Sequence, residues 1–349
     1  MREDGRVSTP PTLEDVARVA GVSRATVSRV INQKRQVAPD LKAVVEKAIV
    51  ETGYVPNRAA RSLVTGRTGT VAVVISGVDP EIEGNQMTGQ VFADPFFGRI
   101  VAAFVRALRP HDLHPVLMLA ETDDARAQVM TYLRQGNADG ALLVAAQADD
   151  PLPGMLVEAG QRAVLFARPE PALPISFVDV ANRDGARLAA KHLIERGCDE
   201  LAVISGPSGL YAAEERLAGF RDEVSRHGRA YVPEVSGEFT LEGGEAAMER
   251  LLDTVPGLDG VFAANDYMAQ GAVHAIQARG LRVPEDVAVV GFDDSSIAPL
   301  CRPALTSVRQ PVEEMAAEMA RLLIGQIAEG ERQVRSVVFD PTLVVRDSA

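Results

Sequence analysis

The sequence predicts a small α-helical head followed by a larger two-lobed α/β body. Apolar residues of the first 55 positions recur at helical spacing, whereas from residue 71 short apolar strands alternate with amphipathic stretches in two successive series. The charge divides along the same line. Residues 1–67 hold 12 Lys and Arg against 7 Asp and Glu, and the remainder holds 24 against 41, so a head of +5 precedes a body of −17. With 349 residues and 46% apolar side chains, the chain can build more than one core. The expected division is a head over 1–55, a linker over 56–68 and the body over 69–349.

In the head, Leu13, Val16, Ala17 and Ala20 form one helical face, and Thr12 with Asp15 three residues on has the form of a capping box. "AGVS" (20–23) interrupts it: Gly21 allows a tight turn, Val22 plugs it and Ser23 starts a second helix. That helix buries Val27, Val30 and Ile31 and leaves Arg24, Ala25, Ser28 and Arg29 on the other side. Two short helices joined this way form a helix-turn-helix, whose second helix enters the DNA major groove. Arg29 suits guanine O6 and N7 bidentately, Arg24 a base or phosphate, and Ala25 a thymine methyl. Ser23 and Thr26 suit phosphates at the helix N-terminus, and Thr12 and Ser28 complete the polar set. A third helix is expected near 40–52, with Leu41, Val44, Val45, Ala48 and Ile49 as its stripe and Tyr54 and Val55 packing back.

"TLEDVARVAGVSRATVSRVIN" followed by "GYVPNRAARSL" resembles the head and hinge of the lactose/galactose repressor family of bacterial transcription regulators. The resemblance runs through the head in order and spacing. It implies that residues after Pro56 form a short hinge helix, that Leu63 wedges into the minor groove, and that Asn57, Arg58 and Arg61 lie along the DNA. Such a wedge unstacks a base step at a cost of a few kcal/mol that added contacts recover. One departure is Ala38 before Pro39, where a hydroxyl cap is usual, so a weaker start to the third helix is expected.

The body begins with "VAVVIS" (71–76), then a helix from Asp94-Pro95, "PVLMLA" (115–120), "GALLVAA" (140–146) and "AVLFA" (163–167). A second series from near residue 180 has "LAVISG" (201–206), "GVFAAND" (260–266) and "DVAVVGFDD" (286–294). Two series imply two doubly wound parallel sheets, with ligands beyond the carboxyl ends of the strands. The family resemblance extends here and implies a periplasmic-binding-protein-like sensor whose chain crosses between lobes three times, residues near 312–338 returning to the first lobe and 341–346 to the second.

Asn265 and Asp266 follow one strand, Asp293 follows another, and Arg216 is placed at a helix start; Arg216, Asn265 and Asp293 match effector-binding positions of that family. An amide, a carboxylate and a guanidinium together suit vicinal hydroxyls. Phe96, Phe97 and Phe239 are candidate stacking surfaces for a sugar ring, with core packing the alternative for the first two, and Gln310 reaches the site from the last crossover. The acidic stretch 77–94 and "ADPFFGRIV" (93–101) are similar to the cellobiose- or maltose-type oligosaccharide repressors. A purine or nucleoside co-repressor is the second reading, and a sugar-binding transport protein the reading from another class.

An enzyme is not expected. There is no GxxxxGKS or GxSxG motif, "GPSG" (206–209) is a turn, and His111 and His114 lack a third ligand. Cys198 and Cys301 match no metal spacing, so no metal or cofactor is expected. No apolar run reaches 18 residues and the N-terminal stretch lacks an apolar signal core, which leads us to expect a cytoplasmic protein without membrane spans. A homodimer reading two half-sites of a pseudo-palindromic operator is the expected assembly, and the absence of heptad leucines before Ala349 speaks against a coiled-coil tetramer.

Overall fold

The computed structural model describes residues 11–31, 37–55, 66–76, 95–145, 149–229, 231–329 and 333–349. The chain divides into two compact units, Met1–Gly69 and Thr70–Ala349.

In the first unit, α1 (Leu13–Ala20), α2 (Arg24–Ile31) and α3 (Pro39–Thr52) enclose Val16, Ala17, Val27, Val30, Val45, Ala48 and Tyr54. The capping box is present: Thr12 Oγ1 accepts from the Asp15 amide at 3.3 Å, and the Asp15 carboxylate accepts from the Thr12 amide at 3.0 Å. Gly21 takes φ 65°, the left-handed conformation that turns the chain from α1 towards α2. Ala38 makes no side-chain cap, and α3 starts on the fixed φ of Pro39. The predicted stripe of α3 is narrower than its sequence suggests: Leu41 and Val44 are 36% and 47% exposed. Two eight-residue helices cover only part of a fourteen-residue one. Tyr54 is buried, but Val55 is 80% exposed, since successive side chains of non-helical chain point to opposite sides.

The second unit holds two six-stranded sheets. The first contains β1 (Thr70–Ser76), β2 (His114–Ala120), β3 (Ala141–Ala145), β4 (Ala163–Phe166), β5 (Ser176–Val180) and β11 (Ser336–Phe339). Its order is β2-β1-β3-β4-β5-β11, parallel throughout. The second contains β6 (Leu201–Ser205), β7 (Glu234–Ser236), β8 (Gly260–Ala263), β9 (Ala288–Asp293), β10 (Thr306–Arg309) and β12 (Thr342–Val344). Its order is β7-β6-β8-β9-β10-β12, with only β12 antiparallel. Strands such as β1 and β9 are buried almost throughout, as parallel strands covered on both faces must be.

The helices α4 (Pro95–Leu108), α5 (Asp123–Arg134) and α6 (Leu152–Glu158) follow first-lobe strands. The second lobe carries α7 (Asn182–Arg196), α8 (Tyr211–Arg226), α9 (Leu241–Thr254) and α10 (Asp266–Ala278). The chain crosses between lobes at β5–α7, β10–α11 and β11–β12, where α11 (Val312–Glu329) returns to the first sheet. Val312, Met315, Met319 and Leu323 of α11 lie on one helical face and pack with Ile100 and Phe104 of α4.

Three strands escape the sequence patterns. Asp179 interrupts the apolar run of β5, β7 has only three residues at a sheet edge, and β10 opens on buried Thr306 and Ser307. The second lobe therefore starts with α7, after β5 has completed the first series.

Helices α7 and α8 pack closely at Gly219, where an added Cβ would stand 2.1 Å from the Arg183 carbonyl oxygen. Gly219→Ala is expected to destabilise the body by ~1–3 kcal/mol, seen as a lower calorimetric melting temperature, because backbone cannot yield as a side-chain tip does.

Candidate functional site

Arg216 lies in the second turn of α8, not at its start, and is buried. One turn later on the same face, Phe220 stacks on Phe262, and Phe262 meets Phe292 edge-on. The Arg216 guanidinium lies 3.7 Å from the centroid of the Phe292 ring, so an aromatic stack supports its face. Its edge is met by polar groups: Nε donates to Asn182 Oδ1 at 2.8 Å, and Nη1 donates to the Ala264 carbonyl at 2.6 Å. Asp293 Oδ1 stands 3.5 Å from Nη1 and also accepts from Gln310 Nε2. Burial raises the Asp293 carboxyl above its ordinary range, against the pull of Arg216, Gln310 and Arg99.

The structure thus brings Arg216, Asp293 and Gln310 together. Asn265 stands beside them, buried, with Oδ1 capping α10 through the Met268 amide at 2.8 Å. Its Nδ2 donates to the Phe239 carbonyl at 3.3 Å. Phe239 has φ 57°, its ring covers Gly206, and its centroid is 6.0 Å from the Arg216 guanidinium. Phe96 and Phe97 belong to the first lobe: they meet edge-on at 5.3 Å, Phe96 packs on Phe166 at 5.5 Å, and both lie half-buried against that lobe's core.

Several groups of this neighbourhood are not evident from sequence. Asn182 joins Arg216 to Asp179 Oδ1, 3.2 Å from its Nδ2, and follows β5, the strand whose pattern Asp179 hides. Burial raises the Asp179 carboxyl as well. Arg99, a basic residue on a largely apolar helix, donates to the Asp293 and Asp294 carbonyls at 3.1 and 3.3 Å. Asp266 is buried in the first turn of α10. Its carboxyl accepts from the Ser295 amide at 2.6 Å and meets the Ser307 hydroxyl, and burial, aided by Asp293, pushes its pKa up to about 8. A cavity of about 650 Å³ lies alongside, lined among others by Arg168, Asp179, Asn182 and Tyr211. None of the seven predicted effector-binding side chains lines it, and it meets their cluster through Asn182.

On the head, Arg24, Ala25 and Arg29 of α2 are exposed and Ser28 is half-buried. Arg24 pairs with Glu14 at 3.0 Å, but both are well exposed, so water or a phosphate competes easily. Ser23 Oγ accepts from the Thr26 amide at 3.2 Å and lies 2.9 Å from Thr26 Oγ1, so these hydroxyls cap the helix. Thr12 Oγ1 donates to Asp15 at 2.8 Å and is committed to the cap of α1. Asn57, Arg58, Arg61 and Leu63 lie outside the described residues.

Residues 12–57 match the model of the bacterial regulatory proteins, lacI family, and residues 190–349 that of a periplasmic binding protein-like domain. Over 342 residues, 97% of this chain and 98% of the relative, the sequence is 45% identical to the HTH-type transcriptional regulator CelR of Thermobifida fusca. The chain belongs to the lacI family. A solved complex of the transcriptional regulator CelR with cellobiose is similar to it with a TM-score of 0.75 and 42% identity, covering 97% of this chain and 100% of that one. The lac repressor dimer bound to operator and the anti-inducer ONPF is similar with a TM-score of 0.80 and 28% identity, covering 97% and 99%. As a lacI-family protein it is a DNA-binding transcriptional regulator and not an enzyme. Its body is the family's two-sheet sensor, with polar groups at the carboxyl ends of β8 and β9.

The buried Asp266 gives this lacI-family sensor a pH signature. Its carboxyl changes from an ordinary value of 3.8 to about 8 on folding, so the folded state binds the extra proton between those values. Stability through this group therefore falls as pH rises from about 4 to about 8. Asp266→Asn, which cannot ionise, is expected to flatten that slope in denaturant titrations across the range.

Proposed function

We propose that the protein is a dimeric repressor of carbohydrate-utilisation genes whose operator affinity is lowered by a cellobiose-class oligosaccharide bound to the body. The observation that carries this reading is the buried cluster of Arg216, Asp293 and Gln310, with Asn265 beside it, at the strand ends of the second lobe. A carboxylate accepts two hydroxyl donors, and a guanidinium and amides donate to ring or hydroxyl oxygens, so adjacent hydroxyls on a sugar match the set. The Phe239 ring beside them offers an apolar face. The 45% identity with a regulator named CelR, and the likeness to a regulator solved with cellobiose, support the same class of effector.

On the head, Arg29 reads a guanine and Arg24 exchanges Glu14 for DNA, while Ala25 and Ser28 lie along the same face. Asn57, Arg58 and Arg61 follow the backbone and Leu63 enters a base step. Two heads of a homodimer read two half-sites, as two-fold symmetry requires. The protein works in the cytoplasm; among the described residues no helix is long and apolar enough to cross a membrane.

The test is recovery of bound sites from random duplexes by the full-length protein, followed by anisotropy titration on the recovered site. The sites are expected to be two-fold symmetric, and cellobiose to weaken binding by about 5–150-fold, the range of a typical allosteric coupling. A shift with purines and none with cello-oligosaccharides moves the effector to the nucleobase class. Asp293→Ala is expected to lose the cellobiose response while keeping operator affinity; a full response in that variant removes Asp293 from the site. Arg29→Ala is expected to lose ~1–3 kcal/mol of discrimination at one base pair of each half-site, measured on single-substitution operators.

A further inference from the structure

Arg99 stands on α4 of the first lobe, yet most of its hydrogen bonds end on the crossover or the second lobe. Its Nε and Nη2 grip the two carboxylate oxygens of Glu313 at 2.9 and 2.7 Å, at the start of α11 just after the β10–α11 crossover. Nη1 donates to the backbone carbonyls of Asp293 and Asp294 at 3.1 and 3.3 Å, and Nη2 to that of Gln310 at 3.4 Å. One planar fork thus spans four residues in a geometry that a single ammonium cannot reproduce. Its side chain is only 18% exposed, so the contacts are largely shielded from water.

The backbone it holds is unusual. Asp293 and Asp294 have φ 105° and 46°, positive values that side-chain-bearing residues rarely take, and both carbonyls point to Arg99. From its own lobe the kink is fixed by Ser307, which accepts the Asp294 amide at 3.0 Å, and by Arg346, which donates to the Asp294 carboxylate. The Asp293 carboxylate faces the other way, towards Arg216 and Gln310. Residue 293 is therefore held at its side chain by the candidate effector site and at its carbonyl by the first lobe.

We propose that Arg99 is the positioning residue that carries effector occupancy at Asp293 across to the first lobe. An effector that draws on the Asp293 carboxylate shifts the 293–294 kink, and the two carbonyls move relative to the Arg99 fork. Because Arg99 also clamps Glu313, the displacement is delivered to α4 and α11 together, the two helices that pack on each other in the first lobe. Arg106, one further heptad along α4 and 3.7 Å from Glu313, keeps the acid on that helix. A coupling of this kind needs an element with two arrangements that both sites bias, and the kinked strand end is that element.

The ligand arm of this proposal rests on the oligosaccharide reading, so the test has one arm that needs no ligand. In full-length, ligand-free protein, Arg99→Met is expected to speed hydrogen exchange at the Asp294 and Ser295 amides by about tenfold while leaving the β6 strand Leu201–Ser205 unchanged, because only the local clamp is lost. Unchanged exchange at those amides overturns the proposal. In the second arm, Arg99→Met should bind cellobiose within about threefold of the wild type by calorimetry, yet show an operator response to cellobiose reduced to within about twofold of none. A wild-type response in that variant overturns the transmitting role, and a loss of cellobiose binding equal to that of Asp293→Ala makes Arg99 a binding residue instead. If the wild type itself ignores cellobiose, the oligosaccharide reading falls, and the exchange arm alone decides the clamp. Arg99→Lys keeps the charge opposite Glu313 without the fork; it is expected to show the same faster exchange, and replaces the methionine variant should that one fail to fold.

Discussion

A guanidinium taken out of water must be met on every side, and the arrangement of the second lobe follows from how Arg216 is met. Its face rests on Phe292, its edge donates to Asn182 and to the Ala264 carbonyl, and Asp293 supplies the opposite charge. Removing an ion from water costs several kcal/mol, so such a group persists only where its geometry is nearly complete. Each partner comes from a different place in the chain: Asn182 begins α7 after the first crossover, Ala264 follows β8, and Asp293 ends β9. Gln310, at the second crossover, completes Asp293. One buried cation therefore fixes two strand ends and draws on both nearby crossovers.

In the proposed reading, these groups form a site preorganised for exchange. Asp293 already satisfies Arg216 and Gln310, and Asn265 is held by the Met268 amide and the Phe239 carbonyl. A polyhydroxylated effector brings both donors and acceptors, so it can take over some of these bonds without leaving a charge bare. Because two of the partners lie at crossovers, a rearrangement there is felt by both lobes. The Arg99 fork adds a direct bond from the first lobe to the backbone of the same aspartate. An effector needs different contacts in the two states of such a sensor in order to bias them, and in the proposed reading the bonds that straddle the lobes supply that difference.

The head is governed by a different constraint. Seven buried side chains from three short helices and the tyrosine after them make a small core, and side-chain hydroxyls cap the first two helices. The hydroxyls of Thr12, Ser23 and Thr26 are used in those caps, and in the proposed reading the exposed face of α2 reads the DNA bases. Its weak surface pair, Arg24 with Glu14, holds a cation in place that a phosphate can claim.

Periodicity, turn chemistry and charge division determined the helical head, its capping box and the doubly wound body, and the motifs of the head and hinge carried the family resemblance. These are local properties: a Gly after a helix, an apolar run of strand length, or a cluster of basic residues acts through its immediate neighbours. Asn265 and Asp293 follow apolar strands, which marks them as strand-end residues in the sequence, whereas Arg216 was singled out through the family resemblance and sits one turn further into its helix than expected. What only the tertiary structure decided was which polar groups meet. Asn182 is hidden behind a strand that Asp179 disguises, Arg99 looks like an ordinary basic residue on an amphipathic helix, and Leu41, Val44 and Val55 look as apolar as the buried positions beside them. The alignment of two lobes from segments more than a hundred residues apart leaves no periodic trace. Only folding brings Arg99 to Asp293, and only the packed neighbours of a side chain determine whether it is core or surface.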